Sequence, residues 1–129
     1  MAEYQPGVCN IGRAERAKRR YIGYFGFLTA ALVLLAVPVA QLPAIWLLAS
    51  AAPFYGGFLG YLQARSGFCA GFGLAGVYDV SDAADERTDV ADADARKADR
   101  RKALVLQLES AGLAVIAAGL VYGIGVALA

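Results

Sequence analysis

The chain has no histidine. That absence removes the commonest general base and the commonest imidazole metal ligand together. Ser50, Ser66, Ser81 and Ser110 have no recognisable activating partner, and no carboxylate pair lies in a context suited to acid–base work. The sequence therefore points to a non-enzymatic protein with no catalytic residues, no metal site and no cofactor. Thiols are scarce, with only Cys9 and Cys69. Charge is missing altogether from Tyr21 to Ala64, which an ordinary soluble domain does not show.

What fills that space is apolar. With 59% hydrophobic residues and a mean hydropathy of +0.52, the composition belongs in lipid. About 20 apolar residues cross the hydrocarbon core, so the uncharged stretch fits two spans. Pro38 and Pro43 bracket Val39-Ala40-Gln41-Leu42, where missing donors and restricted φ angles favour a turn between antiparallel helices. The spans are expected at roughly residues 20–40 and 43–63, with Pro53 kinking the second. A third apolar run, Leu104 to Ala129, is interrupted by Glu109 alone. The fold class expected is an all-α integral membrane protein with three transmembrane helices: a hairpin, then a long third helix extending into the cytoplasm. Soluble core helices are the alternative, but no polar stripe of matching length covers any run. Arg19, Arg20 and the following run imitate a signal peptide, yet the next apolar segment follows after only a turn, as in a hairpin.

The 12 basic and 11 acidic residues nearly cancel, but they are segregated along the chain, so local fields remain. Arg13, Arg16, Lys18, Arg19 and Arg20 precede the first span, Arg65 follows the second, and Arg96, Lys97, Arg100, Arg101 and Lys102 precede the third. Basic residues are retained inside when loops are short, which predicts a multi-pass protein of the cell membrane with its amino terminus cytoplasmic and its carboxyl terminus outside. Tyr21, Tyr24 and Tyr61 then lie at the cytoplasmic interface and Trp46 near the opposite one. The bilayer is the expected partner, while nucleic acid would need a larger basic surface.

Four segments follow. Residues 1–20 form a loose tail to Val8 and a basic interfacial helix from Ile11, with Asn10 as its N-cap. Residues 21–77 hold the hairpin and a glycine-rich exit loop, Ser66 to Val77, that lacks the Gly-Lys-Ser/Thr ending of a phosphate loop. Residues 78–103 are a charged connector, acidic first and basic from Arg96, the order that complements a helix dipole. A helix is expected from about Ala84, with Asp92–Arg96 and Asp99–Lys102 pairs, continuing into the third span at residues 104–129. The acidic cluster lacks the ligand alternation of a calcium loop and reads as a solvated face.

Cys9 and Cys69 both fall near the cytoplasmic surface, where a reducing cytosol keeps them as thiols for sulfur transfer, soft-metal capture or redox sensing. The plainer reading packs each as a small apolar residue. Glu109 lies about 10 Å along a helix from Lys102, an intramembrane carboxylate that snorkels or bonds a nearby polar group, with Gln107 in the same patch. Gly56 with Gly60, and Gly119 with Gly123, have small-xxx-small spacing for close helix contact, within the bundle or in a homo-oligomer or membrane complex.

From Cys9 to about Val77 these features assemble into a pattern: Asn10-Ile11-Gly12, Glu15-Arg16, Arg19 with Gly23, Gly56 or Gly57, and Gly67-Phe68-Cys69. The pattern resembles the YgaP-like transmembrane domain family. The resemblance implies a two-helix membrane module, with Asn10, Gly12, Glu15, Arg16, Gly67 and Phe68 as motif residues. Some members join a rhodanese domain and are associated with thiocyanate or related sulfur species. The family exit continues Cys-Pro, whereas here Cys69-Ala70 follows, and the charged connector and third span lie outside the resemblance. This chain shows no rhodanese segment, so that activity is not expected to carry over. The function expected is a non-enzymatic scaffold or accessory subunit. Handling or transport of a small sulfur-containing anion or soft metal is one alternative, and a thiol redox sensor is another.

Overall fold

A computed structural model describes residues 3–83 and 85–129. Its architecture is mostly helical, in the order α1 (Arg13–Val39), a 3₁₀ segment (Ala44–Ser50), α2 (Ala51–Ser66), α3 (Ala70–Ala75), β1 (Val77–Tyr78), β2 (Thr88–Asp89) and α4 (Ala93–Leu128). Three helical stretches, Arg13–Val39, Ala44–Ser66 and Ala93–Leu128, are long and apolar enough to cross a membrane. Their outward faces carry Phe25, Leu28, Leu32, Leu35, Val115, Ile116 and Leu120 in the open. An apolar belt of this extent suits lipid contact rather than water.

The proline bracket ends the first helix as its chemistry requires. Pro38 sits in the last turn of α1, where its ring opposes the carbonyl of Leu34 and removes one ladder bond. Leu42 N–H then donates to Val37 C=O at 2.9 Å and Gln41 N–H to Pro38 C=O at 3.1 Å. This pair closes the helix end as a Schellman turn, with Gln41 at φ 55° in the position that glycine usually takes. Pro53 does not kink α2 internally. It lies in the first turn of α2, and the departure from α geometry is the 3₁₀ segment just before it. The cause is local, because Pro53 has no N–H to offer Ala49 and so the α ladder starts only beyond Ser50.

α1 and α2 meet through glycine, with Gly23 against Gly60 and Gly26 against Gly57. The falling register makes them antiparallel. A Cβ at Gly60 would stand 2.5 Å from Gly23 N, so the two backbones touch with no side chain between them. Gly60 thus does what its spacing suggested, but Gly57 rather than Gly56 is its companion, since Gly56 faces open space. α4 buries Ala95, Asp99, Ala103, Leu106, Ser110, Ala114 and Ala118 as one stripe. Leu106 and Ala103 pack with Phe68 and Ala70 beside Leu59 and Leu62 of α2.

The charged connector is only partly helical. The expected start at Ala84 lies outside the described residues, while Thr88–Asp89 pair antiparallel with Val77–Tyr78 and α4 begins at Ala93. Asp92 caps it, accepting from Ala95 N–H at 3.0 Å. Aspartate competes for backbone donors in turns and caps, and pairing with the preceding strand Val77–Tyr78 takes the segment that composition alone would make helical. The tail is not loose either, for Tyr4 stacks on Tyr78 with ring centroids 4.2 Å apart, while Met1 and Ala2 lie outside the described residues.

Candidate functional site

At the charged end of the helices, the chain before α1, the exit from α2, α3 and the start of α4 close into a polar cap. Asn10 is its centre. Fully buried, its side chain accepts from Cys69 N–H at 2.6 Å and donates to Cys69 C=O at 3.1 Å. It is therefore not the N-cap of α1: Gly12 occupies that position without a side-chain bond. An amide offers one donor and one acceptor group, so Asn10 satisfies both backbone groups of a residue in extended conformation, which a cap does not do.

The other motif residues converge on the same place. Asn10 and Ile11 N–H groups donate to Gly67 C=O, while Gly12 N–H donates to Asp79 C=O at 2.8 Å. A Cβ at Gly12 would lie 2.5 Å from Val80 O. Gly67 stands at φ 71°, reversing the chain after α2. Phe68 is fully buried. Arg16 donates from Nε to Ala64 C=O at 3.0 Å and from its guanidinium to Arg65 C=O at 3.3 Å, neutralising the carbonyl end of α2. Glu15 is buried and holds Arg19 at 2.9 Å and Lys18 at 3.2 Å.

Both thiols border this cap, and both are free. Cys69 is buried, and Arg19 Nη2 donates to its Sγ at 3.1 Å. Half-buried Cys9 lies over Gly67 and reaches Ile11 C=O at 3.5 Å, a weak contact. Arg19 and Arg87 stack on the ring of Phe72, 5.3 and 4.9 Å from its centroid. Among the described residues no group of three or more Cys, Asp or Glu is placed to hold a metal.

Three further buried polar residues complete the cap. Gln63 accepts from Ala70 N–H at 2.8 Å, joining α2 to α3. Asp79 accepts from Ser81 Oγ at 2.6 Å and Glu86 N–H at 2.9 Å. Burial alone would raise its pKa, but these bonds and the N–H groups of Ser81 and Asp85 together hold it below the ordinary 3.8. Asp99 does not pair with Lys102: it is buried and accepts from Tyr4 OH at 2.6 Å and Gly7 N–H at 2.7 Å. Burial first, then the Asp99 carboxylate, push the Tyr4 phenol above its usual range. Arg96 likewise turns from Asp92 to the carbonyl of Val90. Signals for two of these existed. Asp79-Val80-Ser81 has the spacing of a side-chain-closed turn, and Asp99 falls in helical register with Ala95, Ala103 and Leu106 on the apolar face.

The remaining candidates lie along α4, away from the cap. Gly119 and Gly123 face outward with nothing within 4 Å of a notional Cβ, as does Gly112. Among the described residues, none approaches the side-chain position of these three glycines from inside the bundle. Glu109 is exposed and Gln107 half-buried, and two positions apart on a helix they do not form one patch.

No family model, curated protein or solved structure matches this chain.

Proposed function

We propose that the chain is an integral membrane scaffold or accessory subunit that crosses the cell membrane three times and recruits a helix, from a second copy or a partner, onto the outer face of α4. The observation that carries this is the open glycine stripe of Gly112, Gly119 and Gly123, opposite the face that α4 buries. In lipid, close backbone approach across small residues drives helix association. Glu109 shares the stripe, and a carboxylate at that depth favours a partner. The basic residues around the cap argue for its cytoplasmic placement, with the carboxyl terminus outside. The YgaP-like resemblance belongs to the same proposal, with its motif residues acting as the ties of the cap.

The test is the mass of the protein extracted in mild detergent, with and without Gly119→Leu and Gly123→Leu. Assembly in the native chain and its loss in the variant are expected. A strict monomer that retains no partner would remove the proposal.

Thiol chemistry is a second reading, favoured by the Arg19 contact with Cys69 Sγ. It covers handling of a small sulfur-containing anion or soft metal, and sensing through a reversible Cys9–Cys69 bridge. Unchanged uptake, export and metal tolerance in both Cys9→Ser and Cys69→Ser would end the first form. Failure of a thiol label to reach either residue in native membranes would end the second.

A further inference from the structure

Arg20 is the last charge before the uncharged hairpin and Arg65 is the first after it. Because α1 and α2 run antiparallel with Gly23 beside Gly60 and Tyr61, these two residues reach the same level. Tyr24 lies one turn from Arg20 on α1, and Tyr61 one turn from Arg65 on α2. All four line one groove of about 310 Å³, floored by Ala64.

The neighbouring arginines are occupied and these two are not. Arg16 is bound to the carbonyls that end α2, and Arg19 to Glu15 and Cys69. Among the described residues, neither Arg20 nor Arg65 has a side-chain hydrogen bond or an ion pair; the ion pairs join Lys18 and Arg19 to Glu15, and Lys18 to Asp85. Two outward guanidiniums over a small-residue floor present paired donors to the oxygens of a phosphate. The tyrosine hydroxyls add donors at the depth where amphipathic rings favour the headgroup region.

We infer that this groove binds the phosphate of an anionic phospholipid. The lipid source, rather than a soluble anion, follows from what continues beyond the groove: Phe25 and Leu28 lie exposed further along α1, an apolar track for acyl chains. Basic pockets between spans are suited to such headgroups. The inference rests on the membrane-spanning part of the proposed function but not on association through α4, so lipid retention by a monomer would leave it standing.

The test uses the full chain in uncharged detergent, with bound lipid counted by native mass spectrometry after titration with phosphatidylglycerol, phosphatidylcholine or inorganic phosphate. Preference for phosphatidylglycerol is expected. Arg20→Gln with Arg65→Gln should weaken it roughly 30-fold, while the charge-matched pair Arg13→Gln with Arg100→Gln should retain it. Equal loss in the charge-matched pair, or no preference between the two lipids, would overturn the inference. Inorganic phosphate displacing the lipid at similar concentration would assign the groove to a soluble anion and overturn the lipid source. Should the arginine pair lose its helical circular dichroism, Tyr24→Phe with Tyr61→Phe decides: a loss of roughly fivefold is expected, and unchanged retention counts against the site.

Discussion

Asn10 ties two segments that lie 59 positions apart through both backbone groups of one residue, Cys69. Asn10→Ala leaves the Cys69 N–H buried without a partner, while the Cys69 C=O keeps its bond from Gly73 N–H at 3.0 Å, at a cost of roughly 1–3 kcal/mol. The melting temperature in detergent should fall clearly, and an unshifted melt would count against the clamp. Asp79 makes a pH-dependent contribution. Its folded pKa lies below 3.8, so the unfolded chain takes up the proton first as pH falls. The stabilisation is complete above the unfolded value and is lost as pH drops through the folded one. Protection of the cap amides, relative to their intrinsic exchange rates, should therefore fall at the acid end, and Asp79→Asn should flatten that response; an identical acid profile in the variant would exclude Asp79 as its source. At this scale the sequence showed which residue types were unusual but not their partners. Asn10 and Asp99 each had a plausible local role, as helix cap and as i,i+3 ion pair. Each is instead taken by a partner far away in sequence, which local spacing does not encode.

Among the elements, the α1–α2 crossing is the most sharply defined. A methyl at Gly26 would run into the backbone of Gly57, whereas one at Gly56 meets nothing. Gly26→Ala should cost about 1–3 kcal/mol through forced separation of the helices. Gly56→Ala should be neutral or stabilising by up to about 1 kcal/mol through helix propensity. Thermal unfolding of the two variants side by side checks this, and equal effects would mean that the glycines do not set the crossing. The hairpin itself was legible, because Pro38 and Pro43 punctuate an uncharged run and proline acts on its own backbone. The face of α2 that meets α1 was not, since Gly56 and Gly57 both fit small-residue spacings and an apolar surround gives no amphipathic bias. The start of α4 escaped for a related reason: Thr88–Asp89 answer to Val77–Tyr78, a pairing outside any helical window.

At the scale of the molecule, three apolar helical stretches among the described residues meet at one polar end, where the cap ties Asn10, Gly67, Asp79 and Asp99 together. This level is legible in the residues themselves, because length and hydropathy alone determine whether a helix can cross about 30 Å of hydrocarbon. The cap is not legible in that way, because it depends on hydrogen bonds between distant segments. An odd number of crossings separates the termini. Protease treatment of sealed, right-side-out vesicles carrying a tag at each end of the chain reads this directly. Three crossings with the cap inside predict a protected amino-terminal tag and a digested carboxyl-terminal one; digestion of both tags, or protection of both, would contradict the three-span bundle.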